Sequence, residues 1–126
     1  MKINKIFVYG TLKRGFYNER FIPDEMIAKK WTAGVNADLY TVKNASFPAL
    51  INLDSGNIVI GELYEIEHGY LNTVIEKCDY LEGHPVFYKR TIVDVIDENS
   101  EIHQAYTYVF LHKDKVGELI ESGIFK

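Results

Sequence analysis

The chain reads FYKRTIVDVIDENSEIHQAYTYVFL from Phe87 to Leu111, and this stretch carries its strongest structural signal. Branched and aromatic residues recur at alternate positions over residues 87–96 and again over residues 102–111, which is typical of half-buried strands. The link between them, residues 97–100, is short and polar, as in a β-hairpin. The stretch therefore predicts two antiparallel strands of one sheet.

A helix is predicted just before this hairpin, from about Gly69 to Leu81. Its apolar residues recur at three- and four-residue spacing, which places them on one face of a helix. That face consists of Leu71, Val74, Ile75, Cys78 and Leu81. Gly83 marks the end of the helix, and Pro85 prevents it from resuming. Glu82 is thus placed at the C-terminal end of the helix.

Three further strands are predicted upstream, over residues 3–9, 31–42 and 57–66. Each is an apolar run or a loosely alternating segment bounded by turn residues. A short additional helix is indicated from Asn18 to Ile22, where Pro23 either ends it or restarts it.

Two segments resist assignment to the main sheet. Pro48 keeps residues 46–50 out of a central strand, and the tail from Lys113 has no clear pattern. About five strands with one main helix, and no regular strand–helix alternation, favour an α+β fold whose sheet curls into a small barrel. Because no internal repeat or linker is present, residues 1–126 are predicted to form one domain.

Composition and charge limit the classes of function. The chain has 126 residues and a formal net charge of -4, with basic residues clustered no more densely than in pairs. Nucleic acid binding draws its affinity from clustered Lys and Arg, so we expect no nucleic acid partner. The N-terminal apolar run is too short for a signal peptide, and no stretch approaches the ~20 apolar residues of a membrane span. We therefore expect a cytoplasmic protein that does not enter membranes, and its oligomeric state stays unassigned.

Gly10 and Gly15 have the spacing of a phosphate-binding P-loop, but Phe16 and Tyr17 stand where that loop needs Lys and then Ser or Thr. Nucleotide hydrolysis is therefore not expected. Glycine after a strand can still let successive backbone N–H groups point into one concavity, which suits a carboxylate as well as a phosphate. The same spacing is also typical of an ordinary turn, and both interpretations stand at this point.

Glu82 departs from the usual pattern of helix ends. The helix macrodipole disfavours a negative charge there by about 0.5 kcal/mol, and Lys or Arg would be stabilising. If the carboxylate also faces an aromatic cavity, loss of hydration adds to this effect, and both raise its pKa toward the range of a general base. The alternative is a glutamate exposed to solvent, as most glutamates are.

Other reactive side chains give weaker signals. The four histidines lack the paired spacing of a zinc site, so no metal site is predicted. Cys78 falls on the apolar helix face and is expected to be a core thiol. Ser46 and Ser55 lack the glycine setting of a hydrolase nucleophile. Tyr88 and Arg90 share one face of a strand, and they either line a pocket or form an amphipathic edge of the sheet.

Two separated motifs occur together, VYGTLKRG at residues 8–15 and CDYLEGHPVFYKR at residues 78–90. In this order they resemble the gamma-glutamylcyclotransferase superfamily, especially its gamma-glutamylamine cyclotransferase and AIG2-like branch. The resemblance extends in order of elements from Ile6 to about Tyr108, although only the two motifs are specific. It implies a small mixed β-barrel with flanking helices.

The resemblance also implies roles for individual residues. Glu82 would be the catalytic acid/base, and Tyr88 would line the pocket. The gamma-glutamyl part of a small-molecule substrate would be held, largely by backbone groups, in the loop of Tyr9, Gly10, Thr11 and Leu12. The implied reaction releases 5-oxoproline and a free amine or amino acid, and it requires no metal or cofactor.

Two alternatives share these residues. A domain of the same fold can bind a small molecule without turning it over, because fold does not fix function. A related lyase or transferase can remove a gamma-glutamyl group from a larger biosynthetic intermediate. The glutamate at position 82 favours an enzyme over the binding domain, and it does not separate the two kinds of enzyme.

Overall fold

Over residues 3–126, which the computed structural model describes, the chain forms eight strands and one α-helix. The absence of a signal peptide and the single domain over residues 1–126 are predictions that extend to residues 1 and 2, outside the described residues. The elements in chain order are β1 Lys5–Val8, β2 Ile27–Asn36, β3 Asp38–Val42, β4 Pro48–Ile51, β5 Ile58–Ile66, α1 Leu71–Glu82, β6 Tyr88–Asp97, β7 Ile102–Phe110 and β8 Val116–Leu119.

Five of the strands close into a barrel in the order β1-β5-β2-β6-β7. β1 pairs with β7 in parallel, at Ile6 and Tyr106, whereas the other neighbours in the barrel are antiparallel. β6 and β7 form the predicted hairpin, in an unbroken register that starts where Tyr88 faces Phe110. The prediction of an α+β fold with a small mixed barrel is therefore confirmed.

The other three strands form a second sheet in the order β4-β3-β8. The prediction of one strand over residues 31–42 is wrong here, because β2 ends at Asn36 and the chain enters the second sheet at Asp38. The Asp38 carboxylate accepts hydrogen bonds from the side chains of Asn52 and Asn57, at 2.9 and 2.7 Å. Contacts distant in sequence thus fix a corner that the alternating pattern does not encode.

The two segments left unassigned by sequence both belong to this second sheet. β4 contains Pro48 and lies at the edge of the sheet, as expected for a strand that includes a proline. β8 lies in the tail and pairs with the opposite side of β3, where Val116 faces Val42. The tail is therefore part of the fold.

The main helix, α1, begins two residues later than predicted and extends one residue further, to Glu82. Val74 and Cys78 on its apolar face are buried. Gly83 caps the helix in the left-handed conformation, with φ 66°, and a Cβ atom there would lie 2.8 Å from the Phe87 ring. The stop signal after Glu82 therefore has both a conformational and a steric basis.

The short additional helix is a single 3₁₀ turn, Glu19–Phe21, followed by a second such turn, Asp24–Met26. The prediction of a helix from Asn18 to Ile22 is wrong in this respect. Pro23 separates the two turns, and a proline has no N–H with which to continue the first. Asn18 makes no side-chain capping bond.

The buried residues form two clusters that meet at the barrel wall. One fills the barrel and includes Phe7, Leu63 and Val95, and the other lies beneath α1 and includes Tyr64 and Val74. Alternate residues of the barrel strands serve the two clusters, as the pleat of a strand requires. Among residues 3–126 the longest helix is α1, with 12 residues, and no helix there could span a bilayer.

Candidate active site

A cavity of about 230 Å³ opens between the end of β1, the start of β6 and the C-terminal end of α1. It is lined by all the predicted site residues, which are Tyr9, Gly10, Thr11, Leu12, Glu82 and Tyr88. Because α1 ends beside the loop that follows β1, residues more than 70 positions apart in sequence share one concavity.

The loop after β1 is fixed by its neighbours. The Tyr9 hydroxyl donates a 2.6 Å hydrogen bond to the Tyr108 carbonyl, and the Lys13 N–H donates to the Gly10 carbonyl at 3.1 Å. A Cβ atom on Gly10 would lie 2.9 Å from the ring of Pro48. Gly10 does not adopt a positive φ, so glycine serves close packing here, in place of the turn flexibility considered from the sequence.

Three backbone N–H groups of this loop have no acceptor within the described part of the protein. Among residues 3–126, no hydrogen-bond acceptor is found for the N–H groups of Gly10, Thr11 or Leu12. The two basic residues that follow are turned to other partners. Lys13 donates to the Phe125 carbonyl at 2.8 Å, and Arg14 binds the Glu19 carbonyl at 2.8 Å. An anion in the cavity would therefore meet backbone dipoles and no basic side chain.

Glu82, the last residue of α1, places its carboxyl group at the cavity. The residue is half-buried, and no hydrogen bond or ion pair to its carboxylate is found in the described part of the chain. Burial raises the pKa of Glu82 from 4.5 to about 7. Near neutral pH this carboxyl can therefore both accept and return a proton, as a general acid/base must.

Three tyrosines form the aromatic wall, and their hydroxyl groups are committed to the protein. Tyr88 donates to the Pro48 carbonyl at 2.7 Å, and Tyr108 donates to the Asp79 carboxylate at 2.7 Å. Burial, followed by the nearby Glu82 charge, raises the pKa of Tyr88 well above its ordinary value. Burial, Tyr88 and Glu82 raise the pKa of Tyr9 in the same way. These rings give the cavity its shape and leave Glu82 as its proton-exchanging group near pH 7.

Arg90 lies on the same face of β6 as Tyr88 but does not line the cavity. Its guanidinium forms an ion pair with Asp79 of α1, and its backbone N–H donates to His84 Nδ1 at 2.9 Å. Of the two possibilities left open for this face, the structure places Tyr88 at the pocket and makes Arg90 an anchor for the end of α1.

Several residues that line the cavity were not predicted from the sequence, and two of them, Asn18 and Phe47, come from loops. Asn18, expected to cap a helix, instead donates from Nδ2 to Thr11 Oγ1 at 2.9 Å and lines the cavity. Phe47 reaches the cavity from the loop before β4, with its ring centroid 6.4 Å from that of Tyr88. No local pattern marks either residue, because each arrives through the tertiary packing of a loop.

The remaining reactive groups lie apart from the cavity lining. Cys78 is buried as predicted, and burial, with the Glu82 and Asp79 charges, raises the pKa of its thiol to about 12. Asp97, Glu101 and His103 bring possible metal-ligand atoms within 4.8 Å of one another at the β6–β7 turn. The histidine spacing in the sequence did not indicate this cluster. Asp97 already accepts hydrogen bonds there from the turn backbone and His103.

Comparison with known proteins identifies the family. The family described as gamma-glutamyl cyclotransferase, AIG2-like, matches over residues 6–126. A protein of Methanocaldococcus jannaschii named provisionally as a gamma-glutamylcyclotransferase is 30% identical over 128 residues, covering 96% of this chain and 94% of its own length. The gamma-glutamylaminecyclotransferase of Rattus norvegicus is 34% identical over 96 residues, covering 71% of this chain and 62% of its own length.

The structural comparison agrees with the sequence comparison. The crystal structure of an AIG2-like protein from Mus musculus superposes with a TM-score of 0.68 at 27% identity, covering 86% of this chain and 78% of the mouse protein. The small mixed barrel is thus shared with an AIG2-like protein, and the family and its named relatives support a cyclotransferase type of enzyme. The chain belongs to the gamma-glutamyl cyclotransferase, AIG2-like family.

Proposed function

We propose that the protein cyclises the gamma-glutamyl unit of a gamma-glutamyl amine or peptide, releasing 5-oxoproline and a free amine or amino acid, with Glu82 as general acid/base. The observation that carries this proposal is the Glu82 carboxyl, whose pKa is raised to about 7 at a cavity lined by aromatic residues. Membership of the family supports the same class of reaction.

The loop after β1 is suited to hold the α-carboxylate of such a substrate. The N–H groups of Gly10, Thr11 and Leu12 have no acceptor within the described chain, and a carboxylate supplies acceptors for several donors at once. Asn18 also lines the cavity and is fixed by its bonds to Thr11. Binding of the α-carboxylate in this way would orient the α-amine toward the γ-carbonyl of the same molecule, and this proximity would lower the barrier to ring closure.

Glu82 supplies the proton transfers that the reaction needs. In its ionised form it accepts a proton from the α-amine as the amine nitrogen attacks the γ-carbonyl carbon, and the new C–N bond closes a five-membered ring. The protonated Glu82 then donates to the departing nitrogen as the original amide C–N bond breaks. A loop N–H group that is not bonded to the α-carboxylate stabilises negative charge on the carbonyl oxygen in between. The carboxyl returns to its ionised form, so each turnover is balanced.

The test compares the wild type with a Glu82→Gln variant on a panel of gamma-glutamyl amines and dipeptides, with 5-oxoproline followed by mass spectrometry. Glutamine preserves the shape of the side chain and removes the base. We expect product from the wild type and a loss of about 100-fold or more in kcat for the variant, the scale of general-base removal. Glu76→Gln is the matched control, since Glu76 is an exposed glutamate of the same helix, and it should retain full activity.

Two results would contradict the proposal. Equal activity in the wild type and in Glu82→Gln would remove Glu82 from the chemistry. No product from any compound, with a folded wild-type protein that still binds gamma-glutamyl ligands by calorimetry, would favour the non-catalytic binding domain. A strong preference for one large leaving group would instead favour the lyase or transferase that acts on a biosynthetic intermediate.

A further inference from the structure

We propose that the leaving amine carries an uncharged, apolar substituent, and that Phe47 is the residue that selects it. This inference rests on the proposed cyclotransferase function and names the class of substrate. The inference follows from the position of each part of the substrate in the cavity and from the residues that line the cavity there.

The glutamyl end and the leaving group must lie on different sides of the site. The α-carboxylate and α-amine are assigned to the loop after β1 and to Glu82, so only the substituent on the γ-amide nitrogen extends toward the entrance. Phe47 is 41% exposed, whereas its neighbour Tyr88 is 5% exposed. Phe47 therefore lies at the mouth of the cavity and Tyr88 deeper inside, and a substituent that leaves the site passes the Phe47 ring.

The charge of the cavity lining argues against a cationic leaving group. Within residues 3–126, Glu82 is the one charged side chain that lines the cavity, and it is occupied with proton transfer at the reacting carbon. An ammonium group passing the mouth would lose hydration without gaining a carboxylate partner, which is unfavourable. A cation can be attracted to the face of a phenylalanine ring, but that attraction is weak at an exposed ring.

The apolar surface at the mouth favours an alkyl or aryl substituent. Phe47 and Tyr88 pack with their rings tilted by 57°, and Pro48 lies between the Gly10 loop and the Tyr88 hydroxyl. An apolar chain that covers Phe47 removes apolar surface of both partners from water, which is favourable in proportion to the area covered. Phe47 projects from a loop and is not part of the buried core, so its contact with a ligand can be removed without breaking the fold.

The decisive experiment uses two substrates of equal size, N5-hexylglutamine and N5-(5-aminopentyl)glutamine, which differ by a terminal methyl or ammonium group. We expect kcat/KM to be about 10-fold or more higher for the hexyl compound, the scale of discrimination in a small apolar pocket. Phe47→Ala should lower kcat/KM for the hexyl compound by about 10-fold, mainly through KM, and Phe47→Leu should restore part of it. N5-methylglutamine, whose single methyl group offers little apolar surface to Phe47, should lose little in either variant.

Binding separates failure of this inference from failure of the proposed reaction. In the Glu82→Gln protein, calorimetry should show tighter binding of the hexyl compound than of the aminopentyl compound, whether or not turnover occurs. Equal or better use of the aminopentyl compound, or an equal loss for the hexyl and methyl compounds in Phe47→Ala, would overturn the assignment of Phe47. Absence of 5-oxoproline from all three compounds would instead overturn the proposed function, and the binding preference measured by calorimetry would then still test the assignment of Phe47.

Discussion

Two carboxylates at opposite ends of the β6–β7 hairpin have opposite environments. Glu82 lies beside the start of β6, half-buried among aromatic rings, with no hydrogen-bond donor to its carboxylate in the described chain. Asp97 is the last residue of β6 and is 6% exposed, yet it accepts hydrogen bonds from the Asn99 and Glu101 N–H groups and from His103.

The pKa values of the two groups move in opposite directions. Burial raises the pKa of Glu82 to about 7, whereas the hydrogen bond to His103, with those from the turn backbone, lowers the pKa of Asp97 despite the opposing effect of burial. The comparison teaches that burial alone does not decide the charge of a carboxylate. The hydrogen-bond donors around the carboxylate also decide its charge. A buried carboxylate without such donors has its pKa raised toward neutrality and can act as a base there.

The largest expected effect is on the pH dependence of catalysis. If the ionised form of Glu82 is the base, the ratio of kcat/KM for the wild type to that for Glu82→Gln should fall by about 100-fold from its plateau above pH 8 to pH 5, with a midpoint near pH 7. The ratio is used because titration of the substrate's own amine affects both proteins and cancels. A ratio that does not change with pH would show that Glu82 does not titrate in the free enzyme near neutrality.

Sequence reasoning recovered the parts of this comparison that are local. The alternation of β6 and β7, the spacing of α1 and the stop at Gly83 together placed Glu82 at a helix end next to a strand. The position at a helix C-terminus was enough to mark it as unusual. Whether its carboxylate was solvated depended on what packed against that end, which a single sequence does not show.

The parts that were missed depend on contacts between distant segments. The corner between Asn36 and Asp38 exists because Asn52 and Asn57 bind the Asp38 side chain, and nothing in the alternation of residues 31–42 marks it. Phe47 and Asn18 reach the cavity from loops with no periodic pattern of their own. The cluster at Asp97 forms because a turn folds three side chains together, so regular histidine spacing was the wrong signal for it.

The second prediction removes the well-partnered carboxylate. Asp97→Ala should lower the Tm by roughly 10 °C at pH 7, because the turn loses its acceptor for two N–H groups and for His103. Catalysis measured well below the Tm should be unchanged, since Asp97 does not line the cavity.

Asp94→Ala is the matched control for this change, because Asp94 is an exposed acid of the same strand, and its Tm should stay within about 2 °C of the wild type. Thermal scans of the wild type and the two variants measure the effect. An unchanged Tm in Asp97→Ala would mean that the turn is held by its backbone alone, and that the hydrogen bonds to Asp97 do not stabilise the fold.

The pH dependence of stability provides a further test of Asp97. The pKa of Asp97 is lowered by folding, so its contribution to stability should be lost as the pH falls below the ordinary range of an aspartate.

The smallest expected effect concerns the stability cost of Glu82. Its pKa in the folded protein, about 7, lies above the ordinary value of 4.5, so ionisation opposes folding as the pH rises from about 4.5 through 7 and the penalty is constant above that. Glutamine has no charge to desolvate. The free energy of unfolding of Glu82→Gln, relative to that of the wild type, should therefore rise by about 2 kcal/mol when the pH is raised from 5 to 8. Urea unfolding at the two pH values measures this gain, and Glu76→Gln should show no such change with pH.

A Glu82→Gln variant that is catalytically inactive and more stable than the wild type at pH 8 would show that the desolvated carboxylate costs stability and is needed for activity. A difference between wild type and Glu82→Gln that is independent of pH would mean that water reaches the carboxylate freely, and Glu82 would then resemble any solvated glutamate at a helix end.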